Sequence, residues 1–195
     1  KDNKILFLED AAHSHGASLD GFKAGNIGDG AAFSFYSTKI ITTGEGGMIT
    51  TSDSELAERC ASIRSRGLNL KAGYEIFDKL GTNQRMTEVQ ALMGLAQLSR
   101  LDEFITHRNL IAKTYSIFLE PLVEKGFIRL PLNDSDNLVH ANWRYVVFLI
   151  KNQNREQLRE QMAVHSVNID WAYQPLVHLQ PIMQQLFNTQ AGNLP

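Results

Sequence analysis

The sequence has little cysteine and no long apolar run. Cys60 is the only cysteine among 195 residues, which excludes an intramolecular disulfide framework and favours a reducing, cytoplasmic compartment. A membrane helix needs roughly 18 consecutive apolar residues. The nearest candidate, 143–150, is short and contains Arg144. We therefore expect no membrane-spanning segment.

The sequence also lacks an excess of basic charge. Nineteen Lys and Arg residues stand against 21 Asp and Glu residues, so nucleic acid has no electrostatic support as a partner. The glycine patterns GxGxxG and GxxxxGK[ST] are absent, which disfavours a generic nucleotide-binding module. The 43% hydrophobic content is that of an ordinary globular protein.

The first residues lack an initiator methionine, and a strand-like run starts within four residues. Because natural domains usually begin with expendable surface residues, we expect this chain to be a fragment of a longer protein.

Apolar patterning predicts an α/β organisation, with polar loops between the elements. The first helix is predicted to begin with a Ser52–Glu55 capping box. The second is predicted to begin with a Thr87–Gln90 capping box and to end at Pro121. The predicted strands are 4–9, 31–36, 48–51, 127–130, 143–150 and 167–173; the helices are 53–65, 87–119 and 154–165; and 13–30 is a loop with at most short ordered pieces.

Two polar residues follow predicted strands. Asp10 comes directly after the first strand, and Lys39 lies three residues after the second, among aromatic and branched apolar residues. Ligands of open α/β sheets bind beyond the carboxyl ends of strands, and a partly desolvated amine is a better nucleophile. The alternatives are that Asp10 caps a turn and that Lys39 is a surface lysine with a buried stem.

The pair fits pyridoxal phosphate. This cofactor uses a lysine to form a Schiff base and a carboxylate to keep its pyridine nitrogen protonated. Its phosphate needs hydroxyl, amide or cationic groups, for which Ser34 is available. The glycines at 44, 46 and 47 offer a weaker phosphate nest.

Several ordered motifs resemble the DegT/DnrJ/EryC1/StrS family of pyridoxal-phosphate-dependent sugar aminotransferases. The strings are EDAAHSHGA at 9–17, FSFYSTKIITTGEGG at 33–47 and NQRMTEVQA at 83–91. The resemblance implies an α/β fold of type I, with a mixed, mostly parallel sheet and helices on both faces. Residues 1–120 would be the C-terminal part of the cofactor-binding large domain, including its long connecting helix, and 121–195 part of a small α+β domain.

The resemblance also implies roles for individual residues. Lys39 takes the place of the Schiff-base lysine, and Asp10 that of the partner of the pyridine nitrogen. His13 falls beside the cofactor ring, and Ser34 at its phosphate. Arg85 falls where family members reach the phosphate bound by a neighbouring subunit, which implies a homodimer with shared sites. Gln84, directly before Arg85, stands where family members commonly carry an aromatic residue.

The implied reaction moves an amino group from glutamate or glutamine to a keto sugar linked to a nucleotide. A related sugar dehydratase would carry histidine in place of Lys39. A cysteine desulfurase would need a cysteine on a loop, whereas Cys60 falls in a predicted helix. A non-catalytic regulatory or structural member with the same fold stays open as a further alternative.

Overall fold

The computed structural model describes residues 5–131, 137–150, 154–171 and 174–193. The chain has mixed α/β structure, as predicted, and divides into two compact units, Lys1–Phe148 and Leu149–Pro195. This division falls later in the chain than the domain boundary that the sequence analysis places after residue 120. The assignment of 1–120 and 121–195 to two domains stays a prediction.

The described residues form eight short strands and five α-helices, with one 3₁₀ turn before the last helix. The strands are β1 Leu8–Asp10, β2 Ser18–Leu19, β3 Phe22–Lys23, β4 Gly30–Ser34, β5 Gly47–Thr50, β6 Ile128–Arg129, β7 Leu138–Val139 and β8 Phe148–Leu149. The helices are α1 Ser54–Arg64, α2 Glu88–Leu98, α3 Leu101–Glu124, α4 Arg155–Val164 and α5 Pro181–Phe187.

The first sheet has the order β1-β4-β5 and is mixed. β1 runs parallel to β4, with Asp10 opposite Ala32, and β5 runs antiparallel to β4. Gly30 and Ala31 of the central strand are buried, because small residues let neighbouring elements approach closely. The predicted strands at 4–9, 31–36 and 48–51 are confirmed in type, although β1 is shorter: residues 5–7 are not strand.

The predicted loop at 13–30, expected to hold at most short ordered pieces, contains one short hairpin of two two-residue strands. β2 and β3 pair across Asp20 and Gly21, whose φ values of 51° and 82° are those of a two-residue hairpin turn. β7 pairs with the other edge of β2 and completes a second three-stranded sheet. An Asp-Gly pair is the sequence signal for this turn.

Side-chain caps begin α1 and α2. The Ser52–Glu55 capping box was wrong, because the carboxylate of Asp53 accepts the N–H groups of Glu55 and Leu56 at 2.8 and 3.1 Å. A charged acceptor at this position also complements the helix dipole. The capping box of Thr87 and Gln90 is confirmed.

The long helix predicted for 87–119 is two helices, α2 and α3. The backbone leaves helical geometry at Arg100, with φ −110° and ψ 6°. Pro121 does not end α3, which continues to Glu124; Gly126, at φ 67°, then supplies the left-handed conformation typical of a helix end. The sequence pattern predicted helical structure over this stretch but not this break or this end.

The later elements are confirmed in part. β6 and β8, which pair in a two-stranded sheet, fall within the predicted strands 127–130 and 143–150, but residues 143–147 are not strand. α4 matches the helix predicted at 154–165, and Asn154 caps it. The strand predicted at 167–173 is absent over 167–171, and residues 172–173 lie outside the described residues. α5 was not predicted.

One carboxylate organises the loop before β4. Glu9 accepts the backbone N–H groups of Gly25, Ile27 and Gly28 at 2.8, 2.9 and 2.7 Å. Desolvation raises the pKa of Glu9, but the three hydrogen bonds outweigh it and hold that pKa below its ordinary value. Glu9 therefore fixes the loop as a charged group.

In the described part of the chain, no helix combines the length and apolar character needed to cross a bilayer.

Replacing Glu9 with Gln should lower the free energy of unfolding by about 1–3 kcal/mol, because the amide offers only one acceptor oxygen and no charge to three donors. Folding lowers this pKa, so the contribution of the charge is complete above the unfolded-state value of about 4.5. It is lost as the pH falls through the folded-state value. Urea unfolding at pH 7 and pH 3.5 measures both effects, with Glu120→Gln, an exposed site, as control. Equal stability of wild type and Glu9→Gln at pH 7 would contradict this account.

Candidate active site

The parallel pairing of β1 and β4 brings two sequence-predicted residues to one edge of the first sheet. Asp10 ends β1 and Ser34 ends β4, two residues beyond the partner of Asp10. The Asp10 carboxylate accepts the N–H of Ala12 at 3.1 Å, which orients it at the strand end. The hydroxyl oxygen of Ser34 accepts the N–H of Tyr36 at 3.3 Å.

Lys39 lies in the turn that follows β4. Its backbone N–H donates to the carbonyl oxygen of Tyr36 at 2.9 Å. The next two residues, Ile40 and Ile41, are buried, and Ile40 packs with Ile105 of α3 in the core of the first unit. Lys39 is half-buried. The turn is thus anchored by apolar burial directly after the lysine.

Trp143 joins the lysine turn to the segment after β1. Its indole stacks on the imidazole of His13, with ring centroids 3.7 Å apart and an interplanar angle of 10°. Nζ of Lys39 lies 4.8 Å from the centroid of the same indole. The indole N–H donates to the carbonyl oxygen of Thr38 at 2.7 Å. Trp143 is not among the site residues predicted from the sequence.

The electrostatics of His13 link the candidate residues. Desolvation is the largest effect and lowers the pKa of His13; the positive charge of Lys39 lowers it further, and that of Arg144 contributes in the same direction. The carboxylate of Asp10 acts in the opposite direction. Lys39 and Asp10 therefore both lie within electrostatic range of His13. A neutral imidazole offers one donor and one acceptor nitrogen.

His15 lies beneath this cluster. Only 3% of its surface is exposed, and neither ring nitrogen makes a hydrogen bond of good geometry with the described residues. Its ring packs against those of Phe33 and Phe35, at centroid distances of 5.4 and 5.8 Å. Burial lowers the pKa of His15, and the nearby backbone of Ser34 only partly opposes this. His15 is therefore a neutral packing group under the strand ends.

Arg85 makes no described contact with Lys39, Asp10, His13 or Ser34. It lies in the extended stretch before α2, is exposed, and donates from Nε to Oδ1 of Asn83 at 3.0 Å. The Nε2 amide of Gln90, in α2, reaches the carbonyl oxygen of Glu45 at 2.9 Å, which ties this region to the glycine-rich loop. No described contact joins Arg85 to Lys39, so its role at a phosphate stays a prediction.

The side chains at the sheet edge fit pyridoxal phosphate. Lys39 supplies an amine, Asp10 a carboxylate, His13 a neutral imidazole and Ser34 a hydroxyl, all at strand ends or in the turns that follow them. Metal chemistry has no comparable support, since the described residues contain no cluster of three His, Cys, Asp or Glu side chains that could hold an ion.

Comparison with known proteins matches residues 1–195 to the DegT/DnrJ/EryC1/StrS aminotransferase family. GDP-perosamine synthase of Caulobacter vibrioides is 37% identical over 184 residues, covering 92% of this chain and 47% of that protein. The dTDP-3-amino-3,4,6-trideoxy-alpha-D-glucose transaminase of Micromonospora megalomicea subsp. nigra is 30% identical, covering 98% and 50%. The chain spans about half the length of these curated relatives.

Solved structures agree with this match. The structure of S. venezuelae DesV in complex with a ketimine intermediate superposes with a TM-score of 0.84 at 30% identity. It covers 100% of this chain, which in turn spans 50% of that protein. The predicted fold class and the predicted family are therefore confirmed.

If Lys39 and Asp10 act on His13 as the structure indicates, their charges should move its pKa in opposite directions. Replacing Asp10 with Asn should lower the pKa of His13, and replacing Lys39 with Met should raise it, whereas Lys113→Met should leave it in place. Imidazole NMR titration of full-length, cofactor-free protein measures these shifts. Shifts in the same direction, or none, would show that the three side chains are not clustered.

Proposed function

The chain belongs to the DegT/DnrJ/EryC1/StrS aminotransferase family, and on that premise we propose that it forms part of an enzyme that aminates a nucleotide-linked keto sugar. The amino donor is an amino acid, glutamate or glutamine. Relatives named for GDP-linked and dTDP-linked amino sugars support the acceptor class. The observation that carries the proposal is the grouping of the Lys39 amine and the Asp10 carboxylate around His13 at one sheet edge.

Pyridoxal 5′-phosphate, the cofactor of this family's aminotransferases, supplies a carbonyl that condenses with amines and a ring that accepts electrons from the reacting carbon. We assign Lys39 Nζ to the covalent attachment of the cofactor. With a donor amine in its place, Lys39 Nζ would be free to hold or move a proton at the reacting carbon. Half-burial of Lys39 on the Trp143 ring restricts access of water to this amine.

Asp10 is assigned to the pyridine nitrogen of the cofactor. A carboxylate oxygen of Asp10 would accept a hydrogen bond from the protonated pyridine nitrogen and so keep positive charge at that nitrogen. The Asx turn to Ala12 holds the Asp10 carboxylate at the strand end. His13 offers a neutral nitrogen to the phenolic oxygen, and the Ser34 hydroxyl is a donor for the phosphate.

Arg85 is assigned to the phosphate bound by a second copy of the chain. Its exposure supports a role outside its own site. A homodimer with shared active sites follows from this assignment. We place the reaction in the cytoplasm, which the free thiol of Cys60 supports.

Two alternatives make different predictions. A sugar dehydratase of the same family is disfavoured by Lys39, which such members replace with histidine. A regulatory or structural member would not need to bind cofactor, so purified full-length protein without bound cofactor would favour that function.

Replacing Lys39 with Ala should abolish amino transfer and the visible absorbance of lysine-bound cofactor, because it removes the amine assigned to hold the cofactor. The test uses full-length protein mixed with glutamate or glutamine, and follows the absorbance as the cofactor takes up the donor's amino group. Lys113→Ala, which removes an exposed lysine of α3, should behave as wild type. Retention of both signals in purified Lys39→Ala would contradict the proposed function.

A further inference from the structure

Trp143 makes three contacts to the candidate site. Its ring stacks on His13 at 3.7 Å, its face lies 4.8 Å from Nζ of Lys39, and its N–H bonds the carbonyl oxygen of Thr38 at 2.7 Å. Thr38 is the residue directly before the lysine. One side chain therefore contacts the amine, the backbone that carries the amine and the imidazole beside it.

The segment that carries Trp143 is itself held firmly. The guanidinium of Arg108, on α3, donates from one nitrogen to the carbonyl oxygens of Asn142 and Trp143 at 3.1 and 3.2 Å. The side-chain amide of Asn142 donates to Asn109 at 2.6 Å. Ala141 is 3% exposed and belongs to the same core cluster as Ile105 and Ile40. The indole is therefore fixed relative to α3, against which Ile40 also packs.

We propose that Trp143 is a positioning residue for Lys39 and His13, a role that rests on the proposed aminotransferase function. The indole N–H fixes the carbonyl of Thr38 and with it the direction in which the lysine leaves the turn. The aromatic face attracts the protonated amine of Lys39 and covers one side of it. The same ring holds the plane of the His13 imidazole.

These contacts restrict the position of the Lys39 amine. A small misplacement of a reacting group can cost about 100-fold in rate, and Lys39 is a long side chain with four rotatable bonds. Fixing its backbone and one side of its amine reduces the number of positions that the amine samples. Arg144 also lies over the ring, with its guanidinium carbon 4.4 Å from the centroid. The indole therefore has two cationic neighbours, Lys39 and Arg144.

Two variants at position 143 separate the contacts. Trp143→Phe keeps an aromatic face for His13 and Lys39 but removes the N–H donor to Thr38. Trp143→Leu removes both. Trp171→Phe is the matched control, because Trp171 lies in the second unit, packed beside Arg155 and Arg159.

The first measurement needs no cofactor. In full-length, cofactor-free protein, competitive acetylation read by mass spectrometry gives the reactivity of Lys39 relative to the exposed Lys113. We expect Lys39 to react about threefold or more faster in Trp143→Leu than in wild type, because the ring no longer covers the amine. A smaller increase, or a decrease, would overturn the proposal.

The second measurement uses the cofactor-loaded enzyme. We expect kcat to fall about 3- to 10-fold in Trp143→Phe, the loss of one hydrogen bond, and further in Trp143→Leu, with the KM of the donor within about twofold. A merely structural role predicts lower thermal stability with unchanged kcat per loaded site, and that result would overturn the proposal. If Trp143→Leu does not fold, the kcat of Trp143→Phe decides.

Failure of the proposed function is recognised separately. A wild-type protein that shows no visible cofactor absorbance and no amino transfer contradicts the aminotransferase assignment. The acetylation of Lys39 in the cofactor-free variants still tests the positioning contact in that case.

Discussion

The parallel pairing of β1 with β4 is the constraint on which the candidate site depends. Parallel neighbours end at the same edge of a sheet, so the register that sets Asp10 opposite Ala32 also sets Asp10 beside Ser34 and the turn to Lys39. Through this register, the Asp10 carboxylate and the Lys39 amine, which are distant along the chain, both come within electrostatic range of the His13 imidazole. Glu9 supports this pairing, because its carboxylate accepts hydrogen bonds from the loop that directly precedes β4.

Packing against α3 holds the lysine turn and the Trp143 segment in place. Ile40, directly after the lysine, and Ala141, two residues before Trp143, are buried against Ile105. The lysine turn and the tryptophan segment thus share one apolar support, and Arg108 of the same helix bonds the backbone at Trp143. The geometry around the amine is therefore a property of the core and not of the sheet edge alone.

Local patterns allowed much of this to be predicted. Asp10 and Lys39 follow strand-like runs, Ser34 lies within the second of these runs, and the Thr87–Gln90 box begins α2. Contacts between distant segments could not be predicted: Trp143 and Thr38 are 105 residues apart, and nothing in the residues around 143 indicates which loop the indole meets. The break at Arg100 and the passage of α3 through Pro121 also escape a periodicity argument, because the spacing of apolar residues does not specify the backbone geometry at either position.

The most direct test of the central claim is to find which lysine holds the cofactor. Borohydride reduction of full-length, cofactor-loaded protein, followed by proteolysis and mass spectrometry, identifies the lysine attached to the cofactor. The account predicts a single reduced adduct at Lys39, in the peptide that also contains Tyr36 and Thr38. An adduct at another lysine of the protein, or cofactor that binds without forming any reducible bond, would contradict it.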